Sequence, residues 1–415
     1  MGTAMLALGR TLAVARTAAL FLGVASVLLV HRAASWVGAS RGAAFGAGAL
    51  AAVIPTSSVL GVSFQPEALT AGLVVLGAAA TCLDGSRRWL GGVALGAATL
   101  CRYEAWPAAA VFAALALLDA VRSRRAAVPL VLAALVALFP ALCWVLHGVR
   151  HHQDALFFLH RVAAYRRALG VTESTWSALI GTPVRLVSAE PELVLGGAVA
   201  IAVARRAHVG SARLARPALV LASILVFLVV GELLGGAQTH HPERTLLSIY
   251  LGGAIAVADA AGALLGGGAE MRTRRALVLA VAAAAVVVRA ARPPEEGGVD
   301  RRRELAIGHA ARVLLPDDER LAVDTPDFGY FAVIAAFGAP ERAEPLDRHD
   351  PRDPPMLDAF ASEDTLRQTL ASLRADALVT TAEHFGVAAP LGELVDQNAT
   401  LALLKLAPRT GAAPP

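Results

Sequence analysis

The chain has 415 residues, 56% of them hydrophobic, and a mean hydropathy of +0.59, with the apolar residues gathered in long blocks. That excludes a soluble globular fold for most of its length and points to a polytopic membrane protein. The formal net charge is +4 and Lys405 is the single lysine. The arginines are dispersed at helix ends rather than clustered, so no nucleic-acid partner is expected. Cys82, Cys101 and Cys143 lie in apolar runs at spacings that fit no metal motif, and an odd count gives no disulfide framework.

Ten apolar runs are long enough, or nearly so, to span: 11–30, 43–62, 67–83, 89–101, 105–120, 128–147, 191–204, 217–235, 245–265 and 276–291. The first has the outline of a signal peptide, with Arg10 and Arg16 ahead of Thr17 to Val30 and Ala33-Ala34-Ser35 after it. His31-Arg32 follows the run directly and the rest of the chain is apolar, so it is read as a first transmembrane helix. Alternate loops carry paired arginines: Arg32 and Arg41, Arg87 and Arg88, Arg122 with Arg124 and Arg125, Arg205 to Arg216, and Arg272 to Arg275. By the positive-inside rule these are cytoplasmic. Glu67, Arg102-Tyr103-Glu104, residues 148–190, Gln238 to Arg244 and the C-terminal region then share the outer side. Arg289, Arg292 and Arg301 to Arg303 run against the rule there, as does an outward N-terminus carrying Arg10 and Arg16.

The stretch from Glu67 to Trp106 reads as a membrane hairpin with charged mouths. Its run 89–101 would be roughly 20 Å of helix, short of a hydrocarbon core of about 30 Å. Arg102 and Glu104 are therefore drawn towards the bilayer, where charges are costly and usually functional. A plain turn in which Arg102 and Glu104 neutralise each other is the alternative.

Residues 148–190 form the long loop of the membrane part. Within it, 155–167 has the pattern of an interfacial amphipathic helix. His151, His152 and His160 lack a regular metal spacing. Further on, Ala237-Gln238-Thr239-His240-His241-Pro242-Glu243-Arg244 is the densest polar cluster between two good runs. Pro242 suits a helix start and puts Arg244 in the first turn against the helix dipole. An anionic ligand would account for that arginine; a pair with Glu243 or a lipid phosphate would do so equally.

The predicted organisation is a membrane domain over 1–291, a linker over 292–300 around Pro293-Pro294-Glu295-Glu296-Gly297-Gly298, and a soluble extracytoplasmic domain over 301–415. In the last, helices are expected at Arg303–Leu315, Phe328–Phe337 and Glu363–Ala375, and strands at Arg320–Asp324, Ala377–Thr380 and Leu401–Leu406. That alternation describes a small α/β unit. Pro340 to Pro355 is expected as a loop, and its Asp347, Asp350 and Asp353 are read as solvated rather than cation-binding.

At one surface the chain thus gathers Glu67, Arg102, Tyr103, Glu104, His240, His241, Glu243 and Arg244. A carboxylate can take a proton from an acceptor hydroxyl. Arginine and histidine can bind a phosphate and stabilise it as it leaves. A lipid-linked phosphate sugar would present its head at that depth. No Gly-rich phosphate loop or dinucleotide fingerprint is present.

Here the sequence resembles the glycosyltransferases of the C-fold (GT-C) superfamily, the polytopic enzymes related to protein mannosyltransferases and aminoarabinose transferases. The resemblance rests on Ser63-Phe64-Gln65-Pro66-Glu67-Ala68-Leu69, on Trp89-Leu90-Gly91-Gly92-Val93-Ala94-Leu95-Gly96 leading to Cys101-Arg102-Tyr103-Glu104, on Asp154-Ala155-Leu156-Phe157-Phe158, and on His241-Pro242-Glu243-Arg244. It implies an α-helical polytopic membrane protein of about 10 transmembrane helices with a small C-terminal α/β extracytoplasmic domain, in a bacterial inner membrane. It also implies a polyprenyl-phosphate sugar donor and transfer on the outer face. Glu67 and Glu104 are the catalytic candidates; Arg102, Tyr103, His240, His241, Glu243 and Arg244 are the candidates for donor phosphate or substrate. No cofactor is expected, with a divalent cation left open. The family's first helix and acidic first outer loop have no counterpart here, because the segment from Leu8 to Arg16 resembles the start of the family's second helix. A transporter or flippase of lipid-linked substrates is the competing reading. Its mid-helix charges and related halves are not seen, Asp259 being the nearest exception. A non-catalytic scaffold of the same fold is a third.

Overall fold

The computed structural model describes residues 12–63, 65–123, 126–168, 175–206, 212–234, 242–266, 300–325, 329–346 and 358–407, with isolated positions at 273, 276, 280 and 287. Apart from those isolated positions the run 276–291 lies outside them, as do His240, His241, Asp347, Asp350 and Asp353. The chain divides into two compact units, residues 19–294 and residues 295–415 with the first 18.

The first unit is helical. Its elements are α1 (Leu12–Trp36), α2 (Arg41–Val53), α3 (Pro55–Val62), α4 (Glu67–Ala79), α5 (Trp89–Cys101), α6 (Trp106–Arg122) and α7 (Ala127–His152). Then come α8 (Phe157–Ala168), α9 (Thr175–Ala189), α10 (Pro191–Arg206), α11 (Ala215–Leu233) and α12 (Pro242–Gly266). Five stretches are long and apolar enough to cross a membrane: Ala13–Trp36, Tyr103–Arg122, Ala127–His152, Ala215–Leu233 and Arg244–Leu265. Counting the pair α2 and α3 as one broken span makes six among the described residues. α4, α5 and α10, of 13, 13 and 16 residues, coincide with expected runs but are shorter than those five stretches. Phe21, Val121 and Phe139 are 70%, 82% and 64% exposed, a liability in water and the natural surface for lipid.

Two expectations are corrected. The run 43–62 is not one straight helix: α2 and α3 meet at 68°. Pro55 has no amide to donate and disfavours helical backbone at Ile54. The Glu190 carboxylate then receives the Thr56 amide at 2.9 Å and its hydroxyl at 2.6 Å, satisfying the new helix start. Nor is 148–190 a loop. α7 continues to His152, and α9 joins the expected amphipathic α8.

Small residues let this bundle close. α5 packs on α4 and α7, and its Gly92 and Gly96 face α7 backbone. A Cβ at Gly92 would lie 2.4 Å from the Ala133 carbonyl oxygen, and one at Gly96 2.8 Å from that of Val136. This is the small-xxx-small contact of membrane helices.

The second unit contains α13 (Arg302–Leu314), β1 (Leu321–Val323), α14 (Tyr330–Phe337), β2 (Ala343–Pro345), α15 (Glu363–Leu373), β3 (Ala377–Thr381), α16 (Phe385–Ala388), β4 (Gly392–Gln397) and β5 (Leu401–Leu406). The sheet order is β2-β1-β3-β5-β4; β1 is parallel to both β2 and β3, while β5 is antiparallel to β3 and β4. Strand residues alternate between two cores. Leu321, Val323, Ala377 and Val379 pack with Ile307 and Phe337 of α13 and α14. Ala322 and Leu378 pack with Leu366 and Leu370 of α15 on the other face. β2 falls inside the stretch expected to be only loop, so that expectation is corrected as well.

Candidate active site

Pro66 precedes α4 and places Glu67 in its first turn, where the helix dipole favours a carboxylate. α5 ends at Cys101. Arg102 is extended, with φ −153° and ψ 141°, before the single turn Tyr103–Ala105 that leads into α6. That break points Arg102 across the end of the bundle. Its Nη1 donates to Glu67 Oε1 at 2.5 Å, its Nε to Glu104 Oε2 at 3.0 Å and its Nη2 to Glu104 Oε1 at 2.5 Å. The local Arg102–Glu104 pair expected of a plain turn is therefore present, but a third charge joins it from 35 residues away.

Both carboxylates are buried, Glu67 at 5% and Glu104 at 3% exposure. Two acids share one guanidinium, which leaves a formal excess of one negative charge. Glu104 uses both its oxygens in a fork on Arg102, the strong bidentate geometry. Glu67 does not: its Oε2 is buried and finds no partner among the described residues.

Glu67 lines a cavity of ≈ 20 Å³ together with Arg102, Glu104, Arg244, Thr245 and Ser248, space for about one water. α12 begins at Pro242, as the sequence predicts, and presents Arg244, Thr245 and Ser248 on one face. The Thr245 hydroxyl is likewise buried and unpartnered. Arg244 has no carboxylate partner among the described residues. A second cavity of ≈ 180 Å³ shares Arg102 and is walled by Thr99, Tyr103, Trp106, Trp144 and Phe158. Its aromatic wall is tight: Phe158 lies 5.4 Å from Tyr103 and 4.9 Å from Trp106 between ring centroids.

Of the predicted site residues, the structure brings Glu67, Arg102, Glu104 and Arg244 around one cavity and sets Tyr103 in the adjoining one. His240 and His241 lie outside the described residues, as does the side chain of Glu243. Thr245, Ser248, Trp106 and Trp144 were not singled out by the sequence. The signal available was helical spacing. Thr70, Ala71 and Val74 follow Glu67 at i+3, i+4 and i+7 and line the same cavity. Among the described residues no group of three His, Cys, Asp or Glu side chains is placed to hold a metal ion.

Phe158 is delivered by α8, whose start is fixed by Asp154. The carboxylate accepts from the Leu156 amide at 3.0 Å and pairs with His160 Nδ1 at 2.6 Å. The His160 ring, with the Leu156 amide, holds the Asp154 carboxyl below the usual carboxylate range.

The fold has solved counterparts. The crystal structure of ArnT from Cupriavidus metallidurans in the apo state aligns with a TM-score of 0.51 at 16% identity, covering 95% of this chain and 84% of that one. The same protein bound to undecaprenyl phosphate gives 0.50 at 16%, covering 95% and 85%. AglB, the archaeal oligosaccharyltransferase from Archaeoglobus fulgidus, gives 0.47 at 14%, covering 89% of this chain and 58% of that one. No protein-family model and no curated protein matches the chain. Its fold is the GT-C fold that its motifs led one to expect.

Proposed function

We propose that the protein is a glycosyltransferase that moves a sugar from a polyprenyl-phosphate donor to an acceptor hydroxyl on the outer face of a bacterial inner membrane. The observation that carries this reading is the unpartnered Glu67 Oε2, a proton acceptor held in a cavity that also presents Arg102 and Arg244. The neighbouring fold binds undecaprenyl phosphate in one of the ArnT structures, which supports a donor of that class.

The acceptor oxygen bonds to the anomeric carbon as the bond from that carbon to the phosphate oxygen breaks. The acceptor proton passes to Glu67 Oε2, and the electron pair leaves with the polyprenyl phosphate. Arg102 spends three of its five N–H donors on the two acids. Two remain, and with Arg244 they offset charge on the departing phosphate. Glu104 is a positioning residue, since its fork fixes the guanidinium. The aromatic walls of the larger cavity suit the apolar parts of a lipid-linked sugar.

The test uses membrane vesicles carrying the protein and radiolabelled undecaprenyl-phosphate hexoses and pentoses. Glu67→Gln, Glu104→Gln and Arg244→Ala are each expected to abolish transfer to envelope acceptors while leaving membrane insertion intact. Unchanged transfer in all three removes the assignment.

A further inference from the structure

α12 packs against α4, and the cavity of ≈ 20 Å³ beside Arg102 is lined from both: Glu67 and Thr70 on α4, Thr245 and Ser248 on α12. A threonine inside a helix ordinarily spends its hydroxyl on a carbonyl of the preceding turn. Thr70 does so, donating to the Pro66 carbonyl at 2.8 Å, and Thr99 donates to that of Gly96 at 2.8 Å. Thr245 makes no such bond. It is 8% exposed, and its hydroxyl is buried without a partner among the described residues.

Of the residues lining this cavity, Glu67 alone supplies another buried side-chain oxygen without a partner among the described residues. A buried polar group left unmade costs free energy, so two orphans on one small cavity point to a guest that satisfies both. A carboxylate that is to act as a base only accepts, whereas a threonine hydroxyl can donate one hydrogen. An alcohol matches the pair: its O–H donates to Glu67, one lone pair accepts from Thr245, and a second lone pair is left over. An ionised phosphate would accept from Thr245 but brings Glu67 no hydrogen. Space decides the same way. A cavity of ≈ 20 Å³ holds about one water, and so one hydroxyl, but not a phosphate group.

We propose that Glu67 and Thr245 together seat the acceptor's hydroxyl, that Thr245 orients it, and that the acceptor is a neutral alcohol rather than a phosphate; this rests on the transfer reading given above. The lone pair left over faces the anomeric carbon. As it bonds there, the hydroxyl proton passes to Glu67, the bond from that carbon to the phosphate oxygen breaks, and the electron pair leaves with the polyprenyl phosphate. Thr245 keeps its own proton throughout. In the resting protein one water fills the same seat with the same two hydrogen bonds.

The experiment compares Thr245→Val, which is isosteric, with Thr245→Ser, which keeps the hydroxyl, in vesicles carrying the full-length protein and radiolabelled undecaprenyl-phosphate hexoses and pentoses. Thr245→Val is expected to lower kcat for transfer about tenfold, the worth of one hydrogen bond, with the KM for the donor unchanged. Thr245→Ser is expected to restore it, and equal losses in the two variants overturn the proposal. The labelled product should survive mild acid, as the glycoside of an alcohol does; an acid-labile glycosyl phosphate overturns the proposal too. In nanodiscs without donor, Thr245→Val takes a partner from the seated water and should lower the melting temperature by about 2 °C. A rise, the mark of an orphan merely removed, counts against the seat and overturns it. Full transfer by Thr245→Val while Glu67→Gln is inactive overturns the seat and leaves the transfer reading standing. No transfer by the wild type with any of the sugars overturns both.

Discussion

Arg88 and Arg102 flank the same 13-residue helix, α5, and the ion clusters they enter are opposites. At the Arg88 end, two arginines share one acid. Asp119 on α6 pairs with Arg88, and both its oxygens receive Arg216 from α11, at 2.6 and 2.9 Å. Arg88 also donates to the carbonyls of Thr81 and Leu83 at 3.0 and 3.1 Å. At the Arg102 end, two acids share one arginine, one carboxylate oxygen is left over, and a cavity lies against it. The first cluster leaves a buried donor, Arg88 Nε, without a partner among the described residues; the second leaves a buried acceptor, Glu67 Oε2, and its Glu67 lines a cavity.

The comparison is broken most severely at Arg102. Arg102→Ala leaves Glu67 and Glu104 buried without a counter-charge, and removing one partner of a buried ionic group costs about 3–5 kcal/mol. The melting temperature in detergent should fall sharply and transfer should vanish with it. A sharper contrast comes from neutralising one acid at each end. Glu67→Gln brings the Arg102 triad to neutrality and removes the orphaned oxygen. Stability is expected to hold or rise, while transfer falls by about 10²–10⁴, the usual worth of a general base. Asp119→Asn should do the reverse, losing about 2 kcal/mol of charge-assisted hydrogen bonding with transfer retained by the folded fraction. Equal behaviour of the two variants in paired melting and transfer assays would erase the distinction.

A weaker perturbation acts between the clusters. Gly92→Ala drives a methyl into the Ala133 carbonyl and pushes α5 off α7, at about 1–3 kcal/mol. It should reduce transfer without touching any charged residue, measured against an unchanged Glu67–Arg102 pair. The smallest effect concerns α8. The Asp154 carboxyl is held below its ordinary value, so its contribution is present above the unfolded carboxylate pKa of about 3.9 and fades as the pH falls through the folded value. Amide protection factors in α8 should drop as the pH falls below about 4, and Asp154→Ala should remove that dependence.

The charged mouths were legible because charges that interrupt apolar runs stand out against their surroundings. Glu67, Arg102, Glu104 and Arg244 were found that way. Thr245 and Ser248 were not, since hydroxyls inside an apolar helix are ordinary and only the packing of α12 against α4 makes them lining. Trp106 and Trp144 likewise sit in apolar surroundings with no charge to mark them, and only the fold sets Phe158 beside Trp106 on the same cavity wall. In the α/β unit β1, β3 and β5 announced themselves as short apolar runs. β2 is three residues in a Pro-rich stretch, and β4 is a solvated edge strand whose exposed Glu393 to Gln397 carry no apolar pattern. The pairing of Asp324 with His384, 2.9 Å apart between Oδ2 and Nδ1, was invisible for a different reason: 60 residues separate its members, and only the sheet order makes them neighbours.

One property of α5 reaches further. Pinned by ion clusters at both mouths and by α7 backbone along its flank, it acts as a gauge block whose length is fixed but whose outward paint is not. Trp89, Val93 and Leu100 are 48%, 47% and 60% exposed, so apolar exchanges there leave the interior untouched. Inserting a single residue would swing Arg102 by about 100° and shift it by about 1.5 Å, out of reach of both acids.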